Sequence, residues 1–158
     1  MSKAIGFIGL GVMGSPMAGH LANLNNNISV FNRTVEKSKT WNTKYKGVIC
    51  GSPAELARIS DVIMICIGND SEVRDVISGK DGMINYLKKG SIIVDHTTTS
   101  SELAVEMNAL LNPKDIFYID APVSGGEAGA QSGQLSIMAG GAKKLFNLIE
   151  KIIKPKTK

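Results

Sequence analysis

Short apolar runs recur along the chain, and the stretches between them carry apolar residues at helical spacing. The first run, Ala4-Ile5-Gly6-Phe7-Ile8, reads as a strand, and Met17, Leu21 and Leu24 mark one face of a helix that begins near Met13. Pro16 falls in that helix's first turn, where its missing N–H costs little. Asn25-Asn26-Asn27 suits the helix end, because asparagine tolerates the left-handed backbone found there. Ile28 to Phe31 predicts a second strand, followed by a polar helix around Lys37, Lys39 and Trp41 and a short strand at Val48-Ile49-Cys50. Ser52 predicts an N-cap for Pro53-Ala54-Glu55-Leu56, with Glu55 at the capping-box position. The run from Val62 to Ile67 is apolar throughout, the mark of a strand buried on both faces of a covered parallel sheet. Gly68-Asn69-Asp70 breaks it, and Ser71 opens a helix with Val73, Val76 and Ile77. Ser91-Ile92-Ile93-Val94 is a similar strand, ending at Asp95-His96-Thr97-Thr98-Thr99, and a helix with Leu103, Met107, Leu110 and Leu111 follows. Ile116-Phe117-Tyr118-Ile119 predicts a further strand. A glycine-rich loop then crosses to Leu135-Ser136-Ile137-Met138-Ala139, and Leu145, Leu148, Ile149, Ile152 and Ile153 form one face of a last helix. Strand and helix alternate from end to end with short connections. That predicts an α/β fold: one doubly wound domain over residues 1–158, its sheet mainly parallel, with helices on both faces.

The turn after the first strand carries the chemistry. Gly9, Gly11 and Gly14 have the G-x-G-x-x-G spacing between an apolar strand and a helix, inside a βαβ unit of about 30 residues. In a dinucleotide site the first glycine permits the tight turn, the second lets the pyrophosphate approach the backbone, and the third lets the helix pack on the strand. The helix N-terminus adds N–H groups and partial positive charge for the phosphates. The expected fold is therefore Rossmann-type.

Composition narrows the partners. The chain has 158 residues, 43% of them hydrophobic, and no apolar run near the ~20 residues of a membrane helix. The net charge is +4, but residues 143–158 hold six lysines against Glu150 alone, which leaves −1 on the other 142 residues. A basic end on a near-neutral body is not a nucleic-acid groove. Cys50 and Cys66 form no paired motif, and His20 and His96 stand apart, so neither a metal site nor a disulfide framework is expected. Met1-Ser2-Lys3 leads straight into the first strand, so the expected compartment is the cytoplasm.

Cofactor choice turns on the end of the second strand. An NAD site usually places Asp or Glu there, to accept hydrogen bonds from the adenosine ribose. This chain has Asn32 and then Arg33. Asn32 does not repel a 2′-phosphate, Arg33 can hold one with paired charge-assisted bonds, Thr34 adds a hydroxyl and Lys37 lies one turn on. NADP is expected ahead of NAD.

Three stretches resemble the motifs of the β-hydroxyacid dehydrogenases, which include 3-hydroxyisobutyrate dehydrogenase, tartronate semialdehyde reductase and the glyoxylate/succinic semialdehyde reductases. They are Phe7-Ile8-Gly9-Leu10-Gly11-Val12-Met13-Gly14-Ser15-Pro16-Met17-Ala18, Asp120-Ala121-Pro122-Val123-Ser124-Gly125-Gly126, and Gly133-Gln134-Leu135-Ser136-Ile137-Met138-Ala139-Gly140-Gly141, in family order. The resemblance implies that Gly9, Gly11, Val12, Met13 and Gly14 surround the pyrophosphate. It also implies that Asn32, Arg33 and Thr34 meet the adenosine ribose and its 2′-phosphate. Ile67 and Gly68 would touch the cofactor through their backbone, and Thr97 would lie near its nicotinamide end. Ser124, Gly125 and Gly126 would bind the substrate carboxylate, a role that fits successive glycine N–H groups and a hydroxyl past a strand end.

The family takes the substrate hydroxyl proton with a lysine, in a G-x-x-x-K-x-x-N pattern opening a second, all-helical domain. The pattern is read as missing from this sequence, with Lys143 and Lys144 assigned to the last helix of the nucleotide domain, so that domain and its lysine are expected to be absent here. His96, at a strand end, is the only alternative donor nearby. The chain is thus expected to be the NADP-binding domain of a dehydrogenase, inactive alone and homo-oligomeric in its full-length form, with a small carboxylate-bearing substrate. A non-catalytic NADP-binding or interaction module, or the cofactor domain of an imine reductase-like enzyme, stands as the alternative.

Overall fold

The computed structural model describes residues 3–24, 27–133, 136–137 and 147. Its main sheet has six parallel strands: β1 (Ile5–Ile8), β2 (Ile28–Phe31), β3 (Val48–Ile49), β4 (Val62–Ile65), β5 (Ile92–Asp95) and β6 (Phe117–Asp120), in the order β3-β2-β1-β4-β5-β6. A short antiparallel pair, β7 (Val123–Ser124) and β8 (Ser136–Ile137), lies beyond it. The helices are α1 (Gly14–Leu24), α2 (Val35–Lys44), α3 (Pro53–Arg58), α4 (Asp70–Ser78), α5 (Ser101–Leu111) and α6 (Gly126–Ser132). The doubly wound, Rossmann-type α/β fold is the one expected.

Burial explains the layers. Side chains alternate along each strand, so Phe7, Val30, Met64 and Val94 join Ala18 and Leu21 of α1 and Trp41 of α2 in one core. Ile8, Ile63, Ile65 and Ile93 join Leu56 of α3, Val73 and Ile77 of α4, and Leu103 and Met107 of α5 in the other. Neither core could exist without helices on its face, and that is why four-residue apolar strands suffice. The polar helix α2 depends on Trp41, which is buried and donates its indole N–H to the Ser15 carbonyl at 3.1 Å.

Register places the functional edge. Phe31, Ile8, Ile65, Asp95 and Asp120 lie in one row across β2, β1, β4, β5 and β6. The next residues extend the ladder: Gly9 donates to Phe31, Cys66 to Ile8, His96 to Ile65 and Ala121 to Asp95, at 2.7 to 3.0 Å. Every loop that follows leaves the sheet on this carboxyl edge. The chain winds outward from β1 to β3, then returns to β4 beside β1, and ligands bind doubly wound sheets in the crevice this reversal opens.

Several boundaries move from their expected places. β4 stops at Ile65 because the Ile67 N–H goes to the Thr97 hydroxyl, at 3.0 Å, and not to a strand. β5 and β6 end one residue later than their apolar runs, since Asp95 and Asp120 close the ladder. α4 begins at Asp70, capped by Asn69, whose side chain accepts the Glu72 N–H at 3.0 Å. α3 has the expected cap: Ser52 accepts the Glu55 N–H at 3.0 Å, while Glu55 takes the N–H of Gly51 where the usual reciprocal partner would be Ser52 itself. The stretch read as a glycine-rich loop contains α6, which lacks an apolar period and buries only Ala130. Its Ala130 carbonyl is held by the His20 ring on α1 at 2.8 Å. Asn25 and Asn26, residues 134–135 and 138–141 of the third motif, and residues 142–158 except Asn147, where the last helix is expected, lie outside the described residues.

One close approach sets the angle between β1 and α1. A Cβ on Gly14 would stand 1.9 Å from the Gly9 carbonyl oxygen, a backbone atom that cannot step aside. Gly14→Ala should therefore cost about 3 kcal/mol, as overpacking does in a closed core. A urea midpoint unchanged from wild type would contradict this.

Candidate functional site

The loops on the carboxyl edge surround a cleft of about 900 Å³, within the range of small-molecule and cofactor sites. Its floor is the glycine turn. Gly9 has φ +103, a conformation that L side chains rarely adopt, and a Cβ there would stand 2.1 Å from the Cys66 carbonyl oxygen. Gly11 differs: it has ordinary backbone angles, and a Cβ there would meet nothing within 4 Å. Among the described residues no neighbour accounts for a glycine at this position, whereas a ligand backbone lying against it would. The amino end of α1 opens here, with no acidic residue in its first turn to oppose an anion.

The second wall follows β2. Asn32 Oδ1 accepts the Leu10 N–H at 2.8 Å, and Nδ2 donates to the Thr34 carbonyl at 3.0 Å. The amide thus ties the glycine turn to the 32–34 turn. Arg33 leaves that turn with its side chain 85% exposed. Thr34 is the N-cap residue of α2, yet its hydroxyl makes no capping bond, and Lys37 stands on the same wall. Main-chain N–H groups, a guanidinium, an unspent hydroxyl and an ammonium fit a phosphorylated dinucleotide.

The third wall follows β4. Ile67 and Gly68 line the cleft, and Glu72 folds back from α4 to accept the Gly68 N–H at 2.7 Å. Of the residues singled out in the sequence, Gly9, Gly11, Val12, Met13, Gly14, Asn32, Arg33, Thr34, Ile67 and Gly68 are all brought to this one cleft. Thr97 is not: it is buried, and its hydroxyl holds the Ile67 N–H. Ser124, Gly125 and Gly126 stand outside the cleft on the same edge, exposed, with Gly125 and Gly126 at φ 130 and 63. Sequence reading missed Glu72 and the Gly51-Ser52-Pro53 turn, which also line the cleft. The signal for Glu72 was present, since Asn69 and Glu72 have the spacing of an N-cap and its N3 acid.

Behind the cleft the loops are stitched together. Ser100 donates to Asp70 through both its N–H, at 3.0 Å, and its hydroxyl, holding the Asp70 carboxyl below its usual range. Asp95 accepts from the Tyr118 hydroxyl and the Thr97 N–H, but burial outweighs these bonds and raises its pKa. Cys66, expected as core, is only half-buried and lines the cleft. Burial and then the Asp95 charge push its thiol up to about 11, so it presents a neutral group. His96 is wholly buried, and burial brings it down to about 4. Its Nδ1 lies 2.8 Å from the Ala121 carbonyl, which only accepts, so the ring proton sits on Nδ1 and Nε2 has none to give.

The comparisons with known proteins agree with this geometry. The family model described as the NAD binding domain of 6-phosphogluconate dehydrogenase matches residues 4–158. The chain belongs to this family. An oxidoreductase of Shewanella frigidimarina is 42% identical over 149 residues, 94% of this chain and 51% of its own length. The probable 3-hydroxyisobutyrate dehydrogenase-like 2 of Arabidopsis thaliana is 39% identical over 150 residues, 95% of this chain and 50% of its own. A solved structure described as Psf3 in complex with NADP+ and 2-OPP superposes with a TM-score of 0.89 at 30% identity, covering 97% of this chain and 54% of that one. The resemblance drawn from the three motifs therefore holds, and the chain spans about half the length of the curated relatives it matches. No helix among the described residues is long and apolar enough to cross a membrane.

One expectation needs correcting on the sequence itself. The letters G-x-x-x-K-x-x-N do occur once, at Gly140, Lys144 and Asn147. Of the three only Asn147 is among the described residues, helical and exposed.

The state of His96 sets a pH dependence. Its folded pKa of about 4 lies below the ordinary 6.5, so between these values the unfolded chain takes up a proton that the native chain refuses. Stability should fall on acidification through this window, by about 3 kcal/mol in all from this residue. Asp95, raised in the native state, acts in the opposite sense. The difference between wild type and His96→Gln isolates the histidine: urea midpoints from pH 7 to 4 should converge, and parallel curves would contradict the assignment.

Proposed function

We propose that the chain is the NADP(H)-binding domain of a 3-hydroxyisobutyrate dehydrogenase-like oxidoreductase acting on a small hydroxyacid or its semialdehyde. The observation that carries this reading is the end of β2. Asn32 stands where a ribose-binding carboxylate would stand, and Arg33 extends from it into solvent at the cleft wall. The solved structure at 30% identity, a complex with NADP+, supports the same choice.

In this reading the turn at Gly9, Gly11, Val12, Met13 and Gly14 takes the pyrophosphate, with Gly11 leaving room for it. Arg33, Thr34 and Lys37 neutralise and hydrogen-bond the 2′-phosphate, while Asn32 holds the two turns in register. Ile67 and Gly68 present their backbone to the cofactor, and Thr97 acts through them by holding the Ile67 N–H. Bound there, the cofactor supplies or accepts a hydride at its nicotinamide ring. Ser124, Gly125 and Gly126 hold the substrate carboxylate, on a loop anchored through Ala121 to His96. His96, whose proton is committed to Ala121, does not supply the proton that an aldehyde needs on reduction. That acid is assigned to a further domain of the full-length protein.

Arg33 should favour NADPH over NADH by about 1.5–3 kcal/mol, the worth of hydrogen bonds to charged groups. Titration calorimetry with both cofactors tests it, and equal affinities, or a ratio unmoved by Arg33→Ala, would refute it.

The 158-residue chain should bind NADPH yet reduce succinic semialdehyde, glyoxylate or methylmalonate semialdehyde about 100- to 10,000-fold more slowly than a complete enzyme, the usual worth of a positioned acid. NADPH absorbance reports the rate. Turnover near ~10 per second would show that the chain carries its own acid, and Lys144→Ala and His96→Gln would then locate it.

A further inference from the structure

Three carboxylates line the cleft, Glu72, Asp75 and Asp81, and Glu72 reaches across it to Arg33, where the 2′-phosphate is proposed to bind. Glu72 is not needed to cap α4, because Asn69 already accepts its N–H. Its carboxylate reaches back instead. Oε2 accepts the Gly68 N–H at 2.7 Å, and Oε1 stands 3.6 Å from Nη1 of Arg33. The two side chains come from opposite sides of the glycine turn: Arg33 follows β2, Glu72 follows β4, and β1 lies between those strands. The ion pair therefore spans the cleft above the turn. Arg33 is 85% exposed and Glu72 33%, so water screens the pair, and a ligand can break it. The Gly68 bond keeps the carboxylate in place once Arg33 is drawn away. A phosphate on Arg33 would then sit beside a fixed like charge.

We propose that Glu72 is a specificity-determining residue of the cleft, competing with the ligand's 2′-phosphate for Arg33. This rests on the reading that Arg33 receives that phosphate. Glu72 lowers the affinity for the phosphorylated ribose without touching the unphosphorylated one, so it narrows the preference that Arg33 creates. It also returns Arg33 to a neutralised pair when the site is empty.

The test uses two fragments that differ only by the 2′-phosphate, 2′,5′-ADP and 5′-AMP, titrated calorimetrically into the 158-residue chain. Glu72→Gln removes the charge but keeps an acceptor for the Gly68 N–H. It should tighten 2′,5′-ADP about fivefold, the scale of one screened like-charge contact, and leave 5′-AMP within about twofold. The gain should shrink with salt and in an Arg33→Ala background. Glu72→Ala, which also drops the Gly68 bond, should still favour 2′,5′-ADP over 5′-AMP more than wild type does. Unchanged 2′,5′-ADP binding in Glu72→Gln, or equal gains for both fragments, overturns the proposal. If wild type prefers 2′,5′-ADP through Arg33 while both Glu72 variants are silent, only the role of Glu72 falls. If wild type does not distinguish the fragments and Arg33→Ala changes nothing, the assignment of Arg33 falls with it.

Discussion

The approach of Gly14 to the Gly9 carbonyl is the constraint on which the rest of the carboxyl edge depends. It brings the first turn of α1 against the end of β1, closer than any side chain would permit. Three consequences follow from that one contact. The helix N-terminus faces the cleft instead of the core, the turn between the two elements lies flat beneath the cleft, and Leu10 comes within reach of Asn32. A larger residue at position 14 would tilt α1 and move the amino end of the helix along with its packing.

The other loops are held by side chains, not by close packing. Asn32 joins the loop after β1 to that after β2, Thr97 and the Asp70–Ser100 pair join the loop after β4 to that after β5, and His96 joins the loop after β5 to that after β6. Each joint is a polar side chain meeting a main-chain group or another side chain of the neighbouring loop. Their burial explains the perturbed pKa values better than catalysis does. His96 and Asp95 are shifted because they were taken from water to serve as fasteners, and perturbed groups at a cleft do not by themselves mark catalysts.

Much of this was legible in the sequence because burial on two faces leaves a plain signature. The runs 62–67 and 91–94 read as buried strands, and alternation with crossover handedness pointed to a mainly parallel sheet, while the order of its six strands emerged only in the structure. The misreadings have physical causes. Asp95 and Asp120 close their strands although charged residues look like loop, because the parallel ladder accepts any backbone and Tyr118 satisfies Asp95. α6 carries too few apolar residues to show a period, and it is held by a hydrogen bond from His20, 110 residues away along the chain. The glycine turn and the 32–34 turn read correctly as neighbours because each is local. Glu72 did not, because its relation to Arg33 arises only when the sheet places β2 and β4 on either side of β1.

Asn32 has a consequence for how such a domain can diversify. Its amide is engaged at both ends, to Leu10 and to Thr34, so an aspartate there would keep the acceptor and lose the donor. Exchanging the amide for a carboxylate would loosen two loops at once. Arg33 meets Glu72 across the cleft through a water-screened pair but bonds neither turn, and exchanging it leaves both turns standing. The domain therefore separates a residue bound by architecture from an adjacent one free to vary. Selection can change the second while the first keeps the fold, and lineages can diverge at this wall of the cleft one substitution at a time.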